Sequence, residues 1–303
     1  MHASDKISVI VIVGPTASGK SDLGVQIAKK YNGEIISADS RQVYKDLNIG
    51  SAKVKGKWKK GIFVHEGISH FCIDMISPKR IYTASEFKKS AKDAIADISS
   101  RGKLSIIVGG TAFWVDTLVY DLDLPEVSPD WELRKELEKK SVDELLKILI
   151  PLDPERAASI EQKNPRRLIR AIEIAKALGS VPHISKRNPY RALWIGIFPG
   201  EKILQRRMAI RSSAMIKANL IQETKKLLSK GVSKKRIREF GFEYGNALDV
   251  IEKNIAPRDL ADKLTRDTSK YAVRQMRWFR CNQDIHWIKT LRQAEALVKK
   301  FFI

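Results

Sequence analysis

Eight residues from Gly14 to Ser21, GPTASGKS, carry the first recognisable chemistry of this chain. They fit the spacing G-x-x-x-x-G-K-[ST] of a loop that cradles phosphates. Gly14 and Gly19 let the backbone curl, so that N–H groups of the intervening Thr16, Ala17 and Ser18 converge on one anion. Lys20 adds a full positive charge, and Ser21 offers a hydroxyl to a Mg2+ ion shared with the phosphates. The motif specifies a diphosphate or triphosphate ligand but no particular reaction.

Such a loop needs a strand before it and a helix after it. Residues 7–13, ISVIVIV, read as a strand buried on both faces, and a helix is expected over roughly 21–31. A second short strand, residues 34–37, places Asp39 and Ser40 at its exit, where ligands gather in parallel α/β sheets. From position alone Asp39 is either a site residue or a turn and cap former. Residues 104–108 form another buried strand ending in Gly109, Gly110 and Thr111, with Thr111 presenting a hydroxyl at the next helix start. No aspartate closes that strand, unlike a typical P-loop nucleotide hydrolase, so Asp39 would have to serve in its place. A further strand over 70–75 and a helix opened by the capping box Thr83 to Glu86 complete the alternation. The expected class is α/β, a P-loop kinase-like parallel sheet flanked by helices.

After Leu124 only helical signals remain, with Ser141 and Glu144 as a capping box and cap–proline pairs at Asp153-Pro154 and Asn164-Pro165. Residues 124–182 are therefore expected to form an all-helical insertion, and residues 1–123 and 183–303 the catalytic core. Strand texture returns over 192–198 and 285–288, with long helices expected over 201–229 and 257–280. In the second of these, Leu260, Leu264, Ala272, Met276 and Phe279 share one face, and Lys263, Arg266, Lys270, Arg274 and Arg277 share the other. Residues 53–60, KVKGKWKK, read as an exposed loop, with Lys53 among its basic groups and Trp58 free to stack.

The 303 residues are 43% hydrophobic, enough for a full core, and carry a formal charge of +21. That excess favours a polyanionic partner, and a nucleic acid best explains basic groups spread over a loop and a helix face. Cys72 and Cys281 form no metal or disulfide pattern, so a reducing cytoplasm is expected. Residues 1–6 are polar, and no apolar run suits a signal peptide or membrane span.

Taken together, GPTASGKS, the segment SADSRQVYKDLNIGSAK from Ser37, HFCIDMISP from His70, GGT at Gly109, NPRRLIRAIE from Asn164 and TSKYAVRQMRWFR from Thr268 resemble the tRNA dimethylallyltransferase family. The resemblance implies transfer of a dimethylallyl group from its diphosphate to the exocyclic amine of the adenine 3′ of a tRNA anticodon. It implies Asp39 as general base, Thr111 beside the bridging oxygen of the donor, and Arg211 on the diphosphate together with the loop. Ser40 and Gln42 belong by resemblance to the block that frames the flipped adenine, while Arg207 is a less secure match. The helical insertion, with Arg167, would embrace the anticodon stem, alongside Lys53, Arg274 and Arg277. Mg2+ as cofactor and a monomeric, bacterial-type enzyme are also expected. The chain departs from the family pattern at Ala112, Phe113 and Trp114, at Asn219 in place of a common glycine, and at Gly241 to Tyr244. Rival readings are an ATP-dependent small-molecule kinase, a prenyltransferase acting on free adenine nucleotides and a non-catalytic RNA-binding module.

Overall fold

A computed structural model describes residues 6–303; the reading of the polar start lies, up to residue 5, outside the described residues. The chain runs β1 (Ile7–Val13), α1 (Lys20–Lys30), β2 (Gly33–Ser37), β3 (Lys57–Lys59), β4 (Ile62–His65), β5 (Ile68–Phe71), α2 (Ala84–Ser100), β6 (Leu104–Val108) and α3 (Ala112–Val119). Four helices follow, α4 (Trp131–Leu137), α5 (Val142–Leu152), α6 (Pro154–Ser159) and α7 (Pro165–Leu178). Then come β7 (Tyr190–Ile197), α8 (Glu201–Lys217), α9 (Leu220–Ser229), α10 (Lys234–Glu239), α11 (Phe242–Ile251), α12 (Leu260–Phe279), β8 (His286–Ile288) and α13 (Leu291–Phe301).

The strands form one sheet in the order β3-β4-β5-β2-β6-β1-β7-β8. From β5 to β8 every pairing is parallel, and β3 and β4 add an antiparallel hairpin at one edge. Alternation in the central strands feeds two cores. Val9, Val11, Val13, Ile36 and Ile107 pack with α2, α3 and the C-terminal helices, whereas Ile10, Ile12, Ile35 and Ile106 pack with α1 and α13. Burial on both faces explains the β-branched run over residues 9–13 of β1, each such side chain contributing about 1.5–3 kcal/mol.

The chain divides into two compact units, one built from the chain up to Asp121 and from Asn188 onward, the other from Leu122–Arg187. The second is wholly helical and has its own core around Leu137, Leu145, Leu149, Leu168 and Ile172. Its helices start on Asp130, Ser141, Asp153 and Asn164, each side chain accepting a backbone N–H. Within it Glu173 is buried and would be raised by desolvation, but Arg134 and Arg170 hold its carboxyl below the usual range.

Two expectations change. The single helix over 201–229 is broken between α8 and α9 at Asn219, whose φ of 68° is left-handed. That conformation is tolerated by asparagine and preferred by glycine, which gives the family's usual glycine there a backbone reason. The loop over 53–60 contains a strand, β3, whose three residues are exposed and pair with β4.

Candidate active site

Three adjacent parallel strands, β2, β6 and β1, bring their carboxyl ends together, and each is followed by one of the segments singled out by sequence. After β1 the phosphate loop turns on Gly14 and Gly19, with φ of 150° and 97°. A Cβ at Gly14 would stand 2.6 Å from the Ile197 carbonyl oxygen, so the turn has room only for glycine. Lys20 opens α1 and Ser21 lies in its first turn, beneath the converging amides.

The exits of β2 and β6 are sewn together. Gly109 lies so close to the Ala38 carbonyl that a side chain there has no space. Thr111 Oγ1 accepts the Ser40 N–H at 3.0 Å and donates to Ser40 Oγ at 3.3 Å. Asp39 Oδ1 accepts the N–H groups of Arg41 at 2.9 Å and Gln42 at 3.3 Å. The carboxylate is thereby fixed through one oxygen, which leaves the other to act on a substrate.

The site is rich in charge, with Lys20, Asp39 and Arg211 partly withdrawn from solvent. Burial pushes the Lys20 ammonium down to about 8, opposed by Asp39 and reinforced by Arg211. Burial likewise lowers Arg211, with Glu243 and Asp39 opposing. Glu243 lies in the first turn of α11 and is raised by burial, against the pull of Arg41 and Arg211. Its Oε2 accepts no hydrogen bond and stands 3.5 Å from Arg41 Nη1. The Arg41 guanidinium also lies 5.7 Å from the Phe242 ring centroid and 5.2 Å from that of Tyr271. A side chain at Gly241 would collide with it.

Three residues given no role from the sequence, Arg207 among them as a less secure match, hold these parts from behind. Gln275 on α12 accepts the Thr16 N–H at 2.8 Å and donates to the Gly110 carbonyl at 2.8 Å, which corrects the expectation that the Thr16 amide points at the anion. Arg207 on α8 donates to the Ser18 carbonyl at 2.9 Å. Glu223 on α9 accepts the N–H groups of Asn48, Ile49 and Gly50 within 3.1 Å, and the Tyr244 hydroxyl at 2.8 Å. Only their place inside motif-like segments hinted at them; their partners could not be read from sequence.

The expected RNA contacts separate. Arg274 and Arg277 are exposed on α12, opposite its buried Leu260, Leu264, Ala272, Met276 and Phe279. Arg167 is exposed on the helical unit and pairs with Glu161 at 3.1 Å. Gln42 spends its amide on the Ser51 and Ala52 carbonyls. Lys53 is corrected outright: it is buried, with Nζ 2.7 Å from the Tyr44 carbonyl and 2.6 Å from Asp74. A buried ammonium needs a partner, and Asp74 supplies it, so Lys53 shapes the loop and does not face solvent. Trp58 is half exposed and donates its indole N–H to Asp74 at 3.0 Å, so it is tethered at that end.

Among the described residues no three His, Cys, Asp or Glu side chains converge as metal ligands. A Mg2+ ion that keeps its waters and shares phosphate oxygens would be held here by the hydroxyl of Ser21, in the first turn of α1 after the loop. Among the described residues no helix is long and apolar enough to cross a membrane.

Comparison with known proteins agrees with this geometry. The model of the IPP transferase family matches residues 42–282, and that of isopentenyl transferase matches residues 7–62. A tRNA dimethylallyltransferase of Acetivibrio thermocellus is 38% identical over 291 residues, covering 93% of this chain and 91% of the relative. One of Alkaliphilus oremlandii is 37% identical over 311 residues, covering 98% and 97%. The crystal structure of the tRNA isopentenylpyrophosphate transferase of Bacillus halodurans superposes with a TM-score of 0.72 at 32% identity, covering 98% of this chain and 97% of that one. A eukaryotic dimethylallyltransferase described as acting on tRNA superposes with a TM-score of 0.74 at 25% identity, covering 93% and 73%. With its phosphate loop, strand-exit aspartate and near full-length similarity, the chain belongs to the IPP transferase family, the tRNA dimethylallyltransferases.

Proposed function

We propose that the protein transfers a dimethylallyl group from dimethylallyl diphosphate to the exocyclic amine of the adenine 3′ of the anticodon in tRNA, releasing diphosphate. An adenine amine is a weak nucleophile because its lone pair is delocalised into the ring. The enzyme must therefore take its proton and stabilise the departing diphosphate. Asp39, held through Oδ1, takes the proton on its remaining oxygen as the N–C bond forms and the donor's C–O bond breaks. Lys20, Arg211 and the loop amides receive the negative charge of the diphosphate, and the Thr111 hydroxyl lies beside the bridging oxygen. Mg2+, held by Ser21 and the phosphates of the donor, supplies further charge neutralisation when bound. The adenine leaves its stack to reach Asp39, which a single-stranded anticodon loop makes cheap.

The observation that carries this reading is the convergence of Asp39, Thr111 and the phosphate loop at three neighbouring strand ends. We further propose a cytoplasmic monomer, in keeping with two free cysteines, Cys72 and Cys281. The test is mass spectrometry of an anticodon stem-loop incubated with dimethylallyl diphosphate and Mg2+. A gain of one dimethylallyl group on the expected adenosine supports the proposal; unchanged RNA with ready ATP hydrolysis overturns it.

A further inference from the structure

We propose that Gln275 is a positioning residue that sets the shape of the donor's phosphate loop from behind, a role that rests on the donor reading above. Within the loop the Ser18 N–H and the Lys20 ammonium both donate to the Pro15 carbonyl, at 3.2 and 3.1 Å. From outside, the loop is gripped at two points from helices that are distant in sequence. Gln275 lies 259 residues from Thr16 and takes that residue's N–H at 2.8 Å. Arg207 lies 189 residues from Ser18 and takes its carbonyl at 2.9 Å.

The glutamine is suited to this by its chemistry. A primary amide donates and accepts at once, and both capacities are used, since Nε2 donates to the Gly110 carbonyl at 2.8 Å. Gln275 is buried, and a Cβ at Gly110 would lie 2.5 Å from its Nε2, so the close approach of amide and backbone has room only for glycine there. Gln275 therefore fixes the gap between the turn after β1, which binds phosphate, and the turn after β6, which presents Thr111. The helices that carry the grip are packed together through Leu204, Met208 and Ala272, with Ala17 of the loop against the same cluster. Spending the Thr16 N–H on Gln275 also aims that peptide away from the cradle. Preorganised donors need no rearrangement when the diphosphate arrives.

The test uses Gln275→Leu, which keeps the volume and loses both bonds, and Gln275→Glu, which keeps an acceptor for Thr16 and loses the donor to Gly110. Binding of inorganic diphosphate with Mg2+ is measured by calorimetry in the whole protein, beside stem-loop RNA binding and the melting temperature. Loss of two buried hydrogen bonds is expected to weaken diphosphate about tenfold in Gln275→Leu. KM for the prenyl donor should rise in parallel, while RNA affinity stays within about twofold. Arg207→Ala should give the same split, and Arg207→Lys should recover part of it. Diphosphate affinity within twofold of the parent in a folded Gln275→Leu overturns the proposal. If that variant does not fold, normal diphosphate affinity in both Gln275→Glu and Arg207→Ala overturns it equally. Because inorganic diphosphate binding requires no RNA, this result is independent of whether the parent protein modifies tRNA.

Discussion

At the scale of single residues, the site depends on charged groups partly withdrawn from solvent, and Lys20 shows both the use and the cost. Its ammonium is pushed down to about 8 by burial, so the empty site loses this charge as pH rises through that value. A bound diphosphate favours the charged form, so KM for the donor should climb above pH 8. Lys20→Arg should abolish that dependence, because guanidinium stays charged; a flat profile in the parent would separate Lys20 from the diphosphate. The linkage to folding has the opposite benefit. A lysine whose folded pKa lies below its usual 10.5 costs stability in full below about 8, and the cost fades as pH rises towards 10.5. Lys20→Met should therefore raise the melting temperature at pH 7 while abolishing donor binding, and the gain should shrink at pH 10. Asp39 makes a purely kinetic prediction. Asp39→Ala should lower kcat by about 10²- to 10⁴-fold, the worth of a placed general base, with donor KM nearly unchanged. Single-turnover assays on a stem-loop RNA read both quantities.

At the scale of elements, the C-terminal helices act as a brace for loops that belong to the first third of the chain. Glu223 is the clearest case, since one carboxylate gathers three consecutive amides and a buried tyrosine hydroxyl. Removing it leaves those donors without partners, and Glu223→Ala should cost about 2–4 kcal/mol in denaturant unfolding, with Glu223→Gln costing less. An equal cost for both would mean that a neutral acceptor rescues nothing and the carboxylate charge carries the brace. This brace marks the limit of what the sequence makes legible. The phosphate loop, the strand exits at Asp39 and Thr111 and the two faces of α12 can be read from local spacing, because each is specified by residues a few positions apart. Apart from Tyr244, the partners of Glu223, Gln275 and Arg207 lie 165 or more residues away, and no local pattern encodes such pairs. Lys53 shows the converse error: a lysine-rich stretch reads as exposed, yet this lysine is drawn inward by Asp74, 21 residues on. Asn219 is a third kind of miss, because helical texture continues on both sides of a residue that only its left-handed backbone sets apart.

At the scale of the whole molecule, a charge of +21 concerns partners more than fold. The acid side of stability is local: burial would raise Glu34, but Arg101 and Lys103 bring it down to about 2, so its contribution is present above about 4.5 and lost towards 2. The basic excess instead bears on RNA. Each phosphate neutralised by a lysine or arginine releases counterions, so log affinity falls with log salt by about 0.7–0.9 per contact. Arg274 and Arg277 stand exposed on one face of α12, with the Arg274 guanidinium 5.8 Å from the Tyr271 ring centroid. If both meet RNA phosphates, Arg274→Gln with Arg277→Gln should flatten the salt slope by about 1.4–1.8 and weaken stem-loop binding whatever its sequence. Binding of dimethylallyl diphosphate to the same double variant should be unchanged, because its small anion is held by Lys20, Arg211 and the loop. Parallel titrations of the two ligands between low and moderate salt make the comparison, and an unaltered RNA slope in the variant would move the phosphate-contacting surface off α12.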